Sequence, residues 1–194
     1  MRYVLAILLL FVGLIANSQQ ILPVDAANKV AFTDVVKAEN MKKEILNENI
    51  NTWLLATQYS LQSVSNDSTT QKLIASSEFP VYARGYVSKK IHGKISYKLT
   101  IEVKDNKYRY FFTDFVFSYY KEGRNYTMVP SGKRKPMEDE KAQGWQSLWE
   151  NHKRTTLSRV QMHINQLVVA ATRIPTVQKQ VTATEKTRTP AQDW

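Results

Sequence analysis

Strict alternation of apolar and polar residues marks the middle of the chain. The apolar positions fall on every second residue: Ile95, Tyr97, Leu99, Ile101 and Val103. Because side chains on a β-strand point alternately to two faces, this segment is predicted to be a half-buried strand. Asp105 and Asn106 tolerate positive φ and predict a two-residue turn, so residues 93–120 are expected to form one long β-hairpin.

The predicted turn also sets which residues of the two strands face each other. It makes one apolar row from three pairs: Val103 with Tyr108, Ile101 with Tyr110, and Leu99 with Phe112. On the other face Glu102 falls opposite Arg109, a complementary pair contributing about 0.2–1 kcal/mol. A shift of one residue at the turn would exchange the two faces.

Four aromatic residues of the second strand lie, in this register, on the face opposite the apolar row: Phe111, Phe115, Phe117 and Tyr119. They are candidate ligand-binding residues on an open sheet face. Two alternatives stay open: another element or a second chain covers them, or a β-bulge after Phe112 reverses the alternation. The register also places Asp114 on the apolar face opposite Tyr97. Asp114 is there either a buried acid of a hydrolase-like enzyme or a rim residue bonded to Tyr97.

The remaining pattern predicts further strands at residues 29–36, 72–78 and 81–89, the last two separated by Phe79 and Pro80. Residues 41–59 form an amphipathic helix with Asn40 as N-cap and Trp53 as a core residue. Residues 63–71 and 121–135 are predicted loops. A final helix has Pro136 in its first turn and an apolar stripe from position 145 to position 171, either continuous or broken near residues 151–156. The fold class is α+β: an antiparallel sheet of about five strands with two helices on one face.

The N-terminus predicts export. Residues 4–16 form an uncharged apolar run, too short for a transmembrane helix but of the length of a signal-peptide core. Ala16 and Ser18 are suitable small residues before cleavage at Gln19. We therefore expect a signal peptide (1–18), a linker (19–28), one domain (29–172) and a disordered basic tail (173–194). The mature protein is expected in the periplasm or outside the cell with no stable transmembrane segment. An uncleaved anchor is the alternative and would favour a membrane-associated scaffold.

Charge and composition limit the chemistry. The formal net charge is +10 and there is no cysteine, which excludes disulfides and thiolate metal sites. A basic exported protein suggests an anionic envelope component as partner, or another envelope protein, rather than nucleic acid; a role of the charge in solubility alone is the alternative. Lys133, Arg134 and Lys135 in the predicted basic loop are candidate ligands for a phosphate or carboxylate; a solvated loop is the alternative. No motif or histidine spacing indicates a catalytic site, a metal or a cofactor.

Several segments together resemble a family of secreted bacterial proteins, a domain of unknown function with a TBP-like fold. They are the signal peptide, the Trp53 helix, the run KDNKYRYFFTDF at residues 104–115, and the final helix with Trp145 and Trp149. Asn106 stands where the commoner form of this run has Gly. The resemblance implies β-α-β-β-β-β-α order and a curved sheet over residues 29–172, but no catalytic residues. We expect a non-catalytic binding or envelope-associated module.

Overall fold

The computed structural model describes residues 21–67, 69–84, 89–141 and 144–174. The predicted signal peptide, and the predicted tail from residue 175 onward, lie outside this range. In chain order the elements are β1 (Phe32–Lys37), α1 (Lys43–Ala56), β2 (Ser60–Asn66), β3 (Gln71–Arg84), β4 (Lys89–Lys104), β5 (Lys107–Glu122), a 3-10 turn (Arg124–Tyr126), β6 (Met128–Pro136) and α2 (Gln146–Ala171).

The six strands form one antiparallel sheet in the order β1-β5-β4-β3-β2. On the outer side of β5, β1 pairs with residues 107–112 and β6 pairs with residues 116–122. The helices run antiparallel: Asn49 of α1 bonds to the carbonyls of Ala171 and Arg173, while the Trp53 ring lies 6.2 Å from His163. The α+β class with two helices and an antiparallel sheet is confirmed, with six strands.

The hairpin of β4 and β5 has the predicted register up to Phe112. Asn106 has φ of 60°, and Val103 pairs with Tyr108. Glu102 bonds to Arg109 at 2.5 Å, and this contact lowers the pKa of the Glu102 carboxyl. The apolar row is fully buried and faces both helices, whose own buried residues include Leu46, Ile50, Trp53, Trp149, Val160 and Leu167. The alternating segment is thus the floor of the core, as predicted.

Parts of the two predicted loops, residues 63–71 and 121–135, lie in strands. Residues 60–66 form β2 and residues 128–136 form β6, although their sequences are polar or basic. Both are outer strands with few buried residues, so their composition carries little of the alternation that marks a strand. The predicted break at Pro80 is also wrong, because β3 continues through it. β2 pairs only with residues 71–76, so Pro80 occupies an edge position, where the missing N–H is tolerated.

Both helices start later than predicted. The N-cap of α1 is Lys42, whereas Asn40 adopts φ of 62° in the preceding turn. The carboxylate of Asp105 accepts a hydrogen bond from the Lys43 backbone N–H at 2.8 Å. The first turn of α1 is therefore capped by a residue of the hairpin turn, which is distant in sequence. Pro136 ends β6, and α2 begins at Gln146 and is continuous. No helix among the described residues is long and apolar enough to cross a membrane.

Candidate binding cavity at His92 and His152

A β-bulge in β5 moves most of the predicted ligand-binding aromatics into the core. Asp114 has φ of 56°, and the pairing shifts from Lys98–Thr113 to Ser96–Val116. The extra residue reverses the alternation after Thr113. Phe115 and Phe117 are therefore fully buried under the helices. The predicted open-face position of these two rings and of Tyr119 is wrong, and the bulge alternative is correct. Of the four aromatic residues, Phe111 alone lies on the open face, where it is half-buried and its ring centroid is 4.7 Å from the Arg109 guanidinium.

The same bulge removes Asp114 from the core. Its side chain is exposed, and Phe115 takes the inward position, stacking on Tyr97 with ring centroids 5.3 Å apart. Tyr97 bonds instead to the hydroxyl of Tyr59 at 2.8 Å. The prediction that Asp114 faces the core opposite Tyr97 is wrong, and with it the basis for a catalytic acid at this position.

The basic cluster of residues 133–135 is part of β6. Lys133 and Arg134 are exposed, but Lys135 is buried, with 8% of its surface accessible. The Lys135 ammonium donates to the carbonyl of Lys141 and lies 5.2 Å from the Trp149 ring centroid. The three residues therefore do not form one exposed basic cluster, because the Lys135 side chain is buried and bonded within the protein.

A pair of histidines forms a site that sequence spacing did not reveal. His92 Nδ1 and His152 Nε2 are 2.8 Å apart, although the residues are 60 positions apart. The pairing of β3 and β4 skips His92, which is the extra residue of a second bulge beside Gly93. A Cβ on Gly93 would lie 2.5 Å from the Phe117 ring. Because glycine has no Cβ, the Phe117 ring can pack directly against the backbone at this position. Phe117 then lies against both imidazoles, at 5.3 Å from each.

The histidine pair is neutral near pH 7. Burial lowers the pKa of His92, and burial together with the neighbouring His92 lowers the pKa of His152 to about 4. A neutral pair shares one hydrogen bond, so one ring donates and the other accepts. The remaining nitrogen of His152, Nδ1, is buried without a hydrogen-bond partner among the described residues. It is an acceptor in one tautomer and a donor in the other.

A cavity of about 130 Å³ adjoins this pair. An apolar cavity of about 150 Å³ is known to hold benzene, so this one has the size of a single ring. Trp145 is 82% exposed although it is a large aromatic residue, and its side chain provides no cap for α2. Its position at the end of the predicted apolar stripe did not indicate this exposure. The cavity lining consists of His92, Tyr119, Gly144, Trp145, Leu148, Trp149 and His152.

The opposite face of the sheet, which we call the open face, is covered by neither of the two described helices. Alternation from the buried residues of β3, β4, β5 and β6 places there the basic side chains of Lys72, Lys94, Lys98, Arg109 and Arg134 and the acidic side chains of Glu78 and Glu102. Glu102 contacts Lys72 and Arg109, and Glu78 contacts Lys94. The open face is therefore net basic. Within the described ranges, no three His, Asp or Glu residues are grouped to hold a metal ion.

Comparisons with known proteins agree with the fold. The family model described as a domain of unknown function (DUF4468) with TBP-like fold matches residues 32–118, which confirms the resemblance to this family over that part of the chain. A TBP-like protein from Parabacteroides distasonis is 20% identical, with a TM-score of 0.53 over 80% of this chain and 100% of that chain. A DUF4468 family protein from Bacteroides ovatus is 13% identical, with a TM-score of 0.50 over 81% and 95%. No curated protein matches.

Proposed function

We propose that this DUF4468 domain, a TBP-like α+β fold, is an exported, non-catalytic binding module whose cavity at His92 and His152 takes one neutral sugar ring. The observation that carries the proposal is Trp145. A tryptophan with 82% of its surface in solvent, placed at a ring-sized cavity that two further aromatic residues line, has no role in the core. Exposed aromatic rings are typical of recognition surfaces because they combine a large apolar face with a polar edge.

The polar atoms of the cavity favour a sugar over a purely apolar ring. His92 lines the cavity and is half-buried, and its Nε2 takes no part in the histidine pair. A hydroxyl group both donates and accepts, so it can pair with this nitrogen in either tautomer. A benzene-like ligand offers no such group. The C–H face of a sugar ring packs against indole, while its hydroxyl edge meets the imidazoles.

The same lining supports binding without catalysis. Hydrolysis of a glycoside commonly uses two carboxylates on either side of the scissile bond. The residues that line the cavity include no Asp or Glu. The two histidines have each other as partners, at 2.8 Å, and the pKa of each is lowered by burial. Neither is therefore a strong base near neutral pH.

Ligand-observed NMR with neutral hexoses and N-acetylhexosamines tests the proposal. We expect saturation transfer to at least one sugar, lost on Trp145→Ala because the stacking surface is removed. Tyr126→Ala is the matched control: Tyr126 is 89% exposed and does not line the cavity, so binding should persist. Binding that survives Trp145→Ala, or no binding to any neutral sugar, would contradict the proposal.

A second binding mode is favoured by the charge of the open face. Lys98 and Arg134 have no ion pair to a described acid, and basic side chains outnumber acidic ones on this face. We propose that this face binds an anionic component of the cell envelope, such as an acidic polysaccharide, because a group of exposed positive charges attracts a polyanion. Retention on a polyuronate column should fall for Lys98→Glu and Arg134→Glu but not for Arg154→Glu, whose side chain lies on α2. Equal loss in all three variants would indicate an effect of net charge alone.

Export is proposed from the N-terminal apolar run, which lies outside the described residues. N-terminal sequencing of the protein released by the producing cell is expected to begin at Gln19. A start at Met1 in the membrane fraction would favour the anchored scaffold instead.

A further inference from the structure

The outer sides of the two helices form an apolar groove that the cavity and the open face do not involve. Its walls come from residues 49–57 of α1 and residues 165–173 of α2, and its volume is about 870 Å³. Trp53 lines it, and its indole N–H is buried with no partner among the described residues. Val169 also lines the groove and is 73% exposed. Exposed aliphatic side chains next to an apolar groove mark an interaction surface.

We propose that this helix face is the interface of a two-fold dimer, with a second copy of this chain as its occupant. The first argument is charge. The chain carries a formal net charge of +10, so two copies repel each other at most orientations. Among the ten described residues that line the groove, Arg173 is the one charged residue. Two copies therefore approach through this face without placing arrays of like charges against each other.

The second argument is shape. A two-fold interface brings the same patch together twice, so a patch that pairs with itself must offer both projections and recesses. Val169 projects from α2, while the small residues Ala56 and Ala170 leave room above Trp53. In an antiparallel crossing, Val169 of each copy enters the recess of the other. Such knobs in holes are the usual contact of helices packed in bundles.

The third argument is the kind of polar group at the groove. Asn165 and Gln166 carry side-chain amides, and Thr52 carries a hydroxyl. An amide has a donor and an acceptor, so two identical amides bond to each other across a two-fold axis. A foreign partner with an acidic or basic helix would find one charged group, Arg173, to recognise. The polar groups of this face are thus those that pair with their own copies.

The size of the face sets the expected affinity. A 14-residue helix is about 21 Å long, and two packed helices are about 20 Å wide, which gives roughly 400 Å² per copy. Stable dimers usually bury about 800 Å² per partner. The dimer is therefore expected to be reversible and to require high local concentration, such as a crowded envelope compartment provides.

Analytical ultracentrifugation of the exported form between about 1 µM and about 1 mM tests the dimer. We expect a concentration-dependent monomer–dimer equilibrium whose dissociation constant rises about tenfold or more with Val169→Asp, since a buried carboxylate would lose its water. Val64→Asp is the matched control: Val64 is 51% exposed on β2, away from the groove, and the same substitution should leave the equilibrium unchanged. Circular dichroism checks that both variants fold. A monomer at every concentration, an unaffected Val169→Asp, or equal weakening by Val64→Asp would each overturn the proposal.

Discussion

Acid should destabilise this protein through its buried histidines, of which His152 has the most strongly lowered pKa. Its side chain is 1% exposed, and burial together with His92 lowers its pKa from about 6.5 to about 4. In the unfolded chain the imidazole regains its ordinary pKa. Between these two values the unfolded state binds a proton that the folded state does not, so the free energy of unfolding falls as the pH falls. The contribution of neutral His152 is thus present above pH about 6.5 and lost progressively toward pH about 4.

The magnitude follows from proton linkage. With pKa values of about 4 folded and about 6.5 unfolded, the contribution of His152 to the free energy of unfolding drops by about 2.5 kcal/mol between pH about 7.5 and pH about 4.5. Carboxylates contribute little in this window. The pKa of Glu102 is lowered by its hydrogen bond to Arg109, so its stabilisation is lost only below the ordinary pKa of a glutamate. The window therefore separates the histidines from the acids.

Urea unfolding at the two pH values measures the effect. His152→Leu keeps an apolar side chain in the site but has no proton to bind, so its loss of stability between the two pH values should be smaller than that of the wild type by about 2 kcal/mol. Thr156→Val is the matched control, since Thr156 is also buried on α2 but does not titrate. It should lower stability at both pH values and keep the wild-type difference. An identical pH dependence in the wild type and in His152→Leu would refute the reasoning.

Three further substitutions test the bulge, the cap and the crossing. Asp114→Val should lower the free energy of unfolding by about 1–2 kcal/mol, because a β-branched residue is strained at φ of 56°. Asp114→Gly should preserve or raise the free energy of unfolding, and equal stability of the two variants would argue against the bulge. Asp105→Ala should cost about 1 kcal/mol by removing the cap on Lys43, with Asp105→Asn close to wild type in urea unfolding; a full loss in both would point to the charge instead. Gly93→Ala should lower the free energy of unfolding by about 3 kcal/mol or more, because its Cβ would lie 2.5 Å from the Phe117 ring. A melting temperature within a few degrees of the wild type would be inconsistent with that contact.

The candidate site shows how far sequence patterns reach. The alternation from Ile95 to Val103 and the turn at Asn106 predicted the hairpin correctly, because each depends on residues close in sequence. The same alternation failed after Thr113, where one added residue exchanged the faces of Phe115 and Asp114. Strand periodicity contains no signal for a bulge other than a polar residue at an inward position, and Asp114 was that signal. The strands β2 and β6 were missed because outer strands bury few side chains.

The sequence by itself determined the α+β class, the central hairpin with its register near the turn, and most of the buried face of α1, while on α2 it missed the exposure of Trp145 and the burial of His152. These follow from local periodicity and from turn residues with restricted backbone angles. Only the tertiary structure decided which aromatics lie in the core, how Asp105 caps α1, and that His92 meets His152 at 2.8 Å. All three features share one physical reason. Each is a contact between elements distant in sequence, and its geometry is set by one extra residue in a strand or by one turn. Two bulges, at His92 and Asp114, therefore define the cavity wall and the core face. The sequence pattern carries no signal for the first, and its one signal for the second is the polar Asp114 at an inward position.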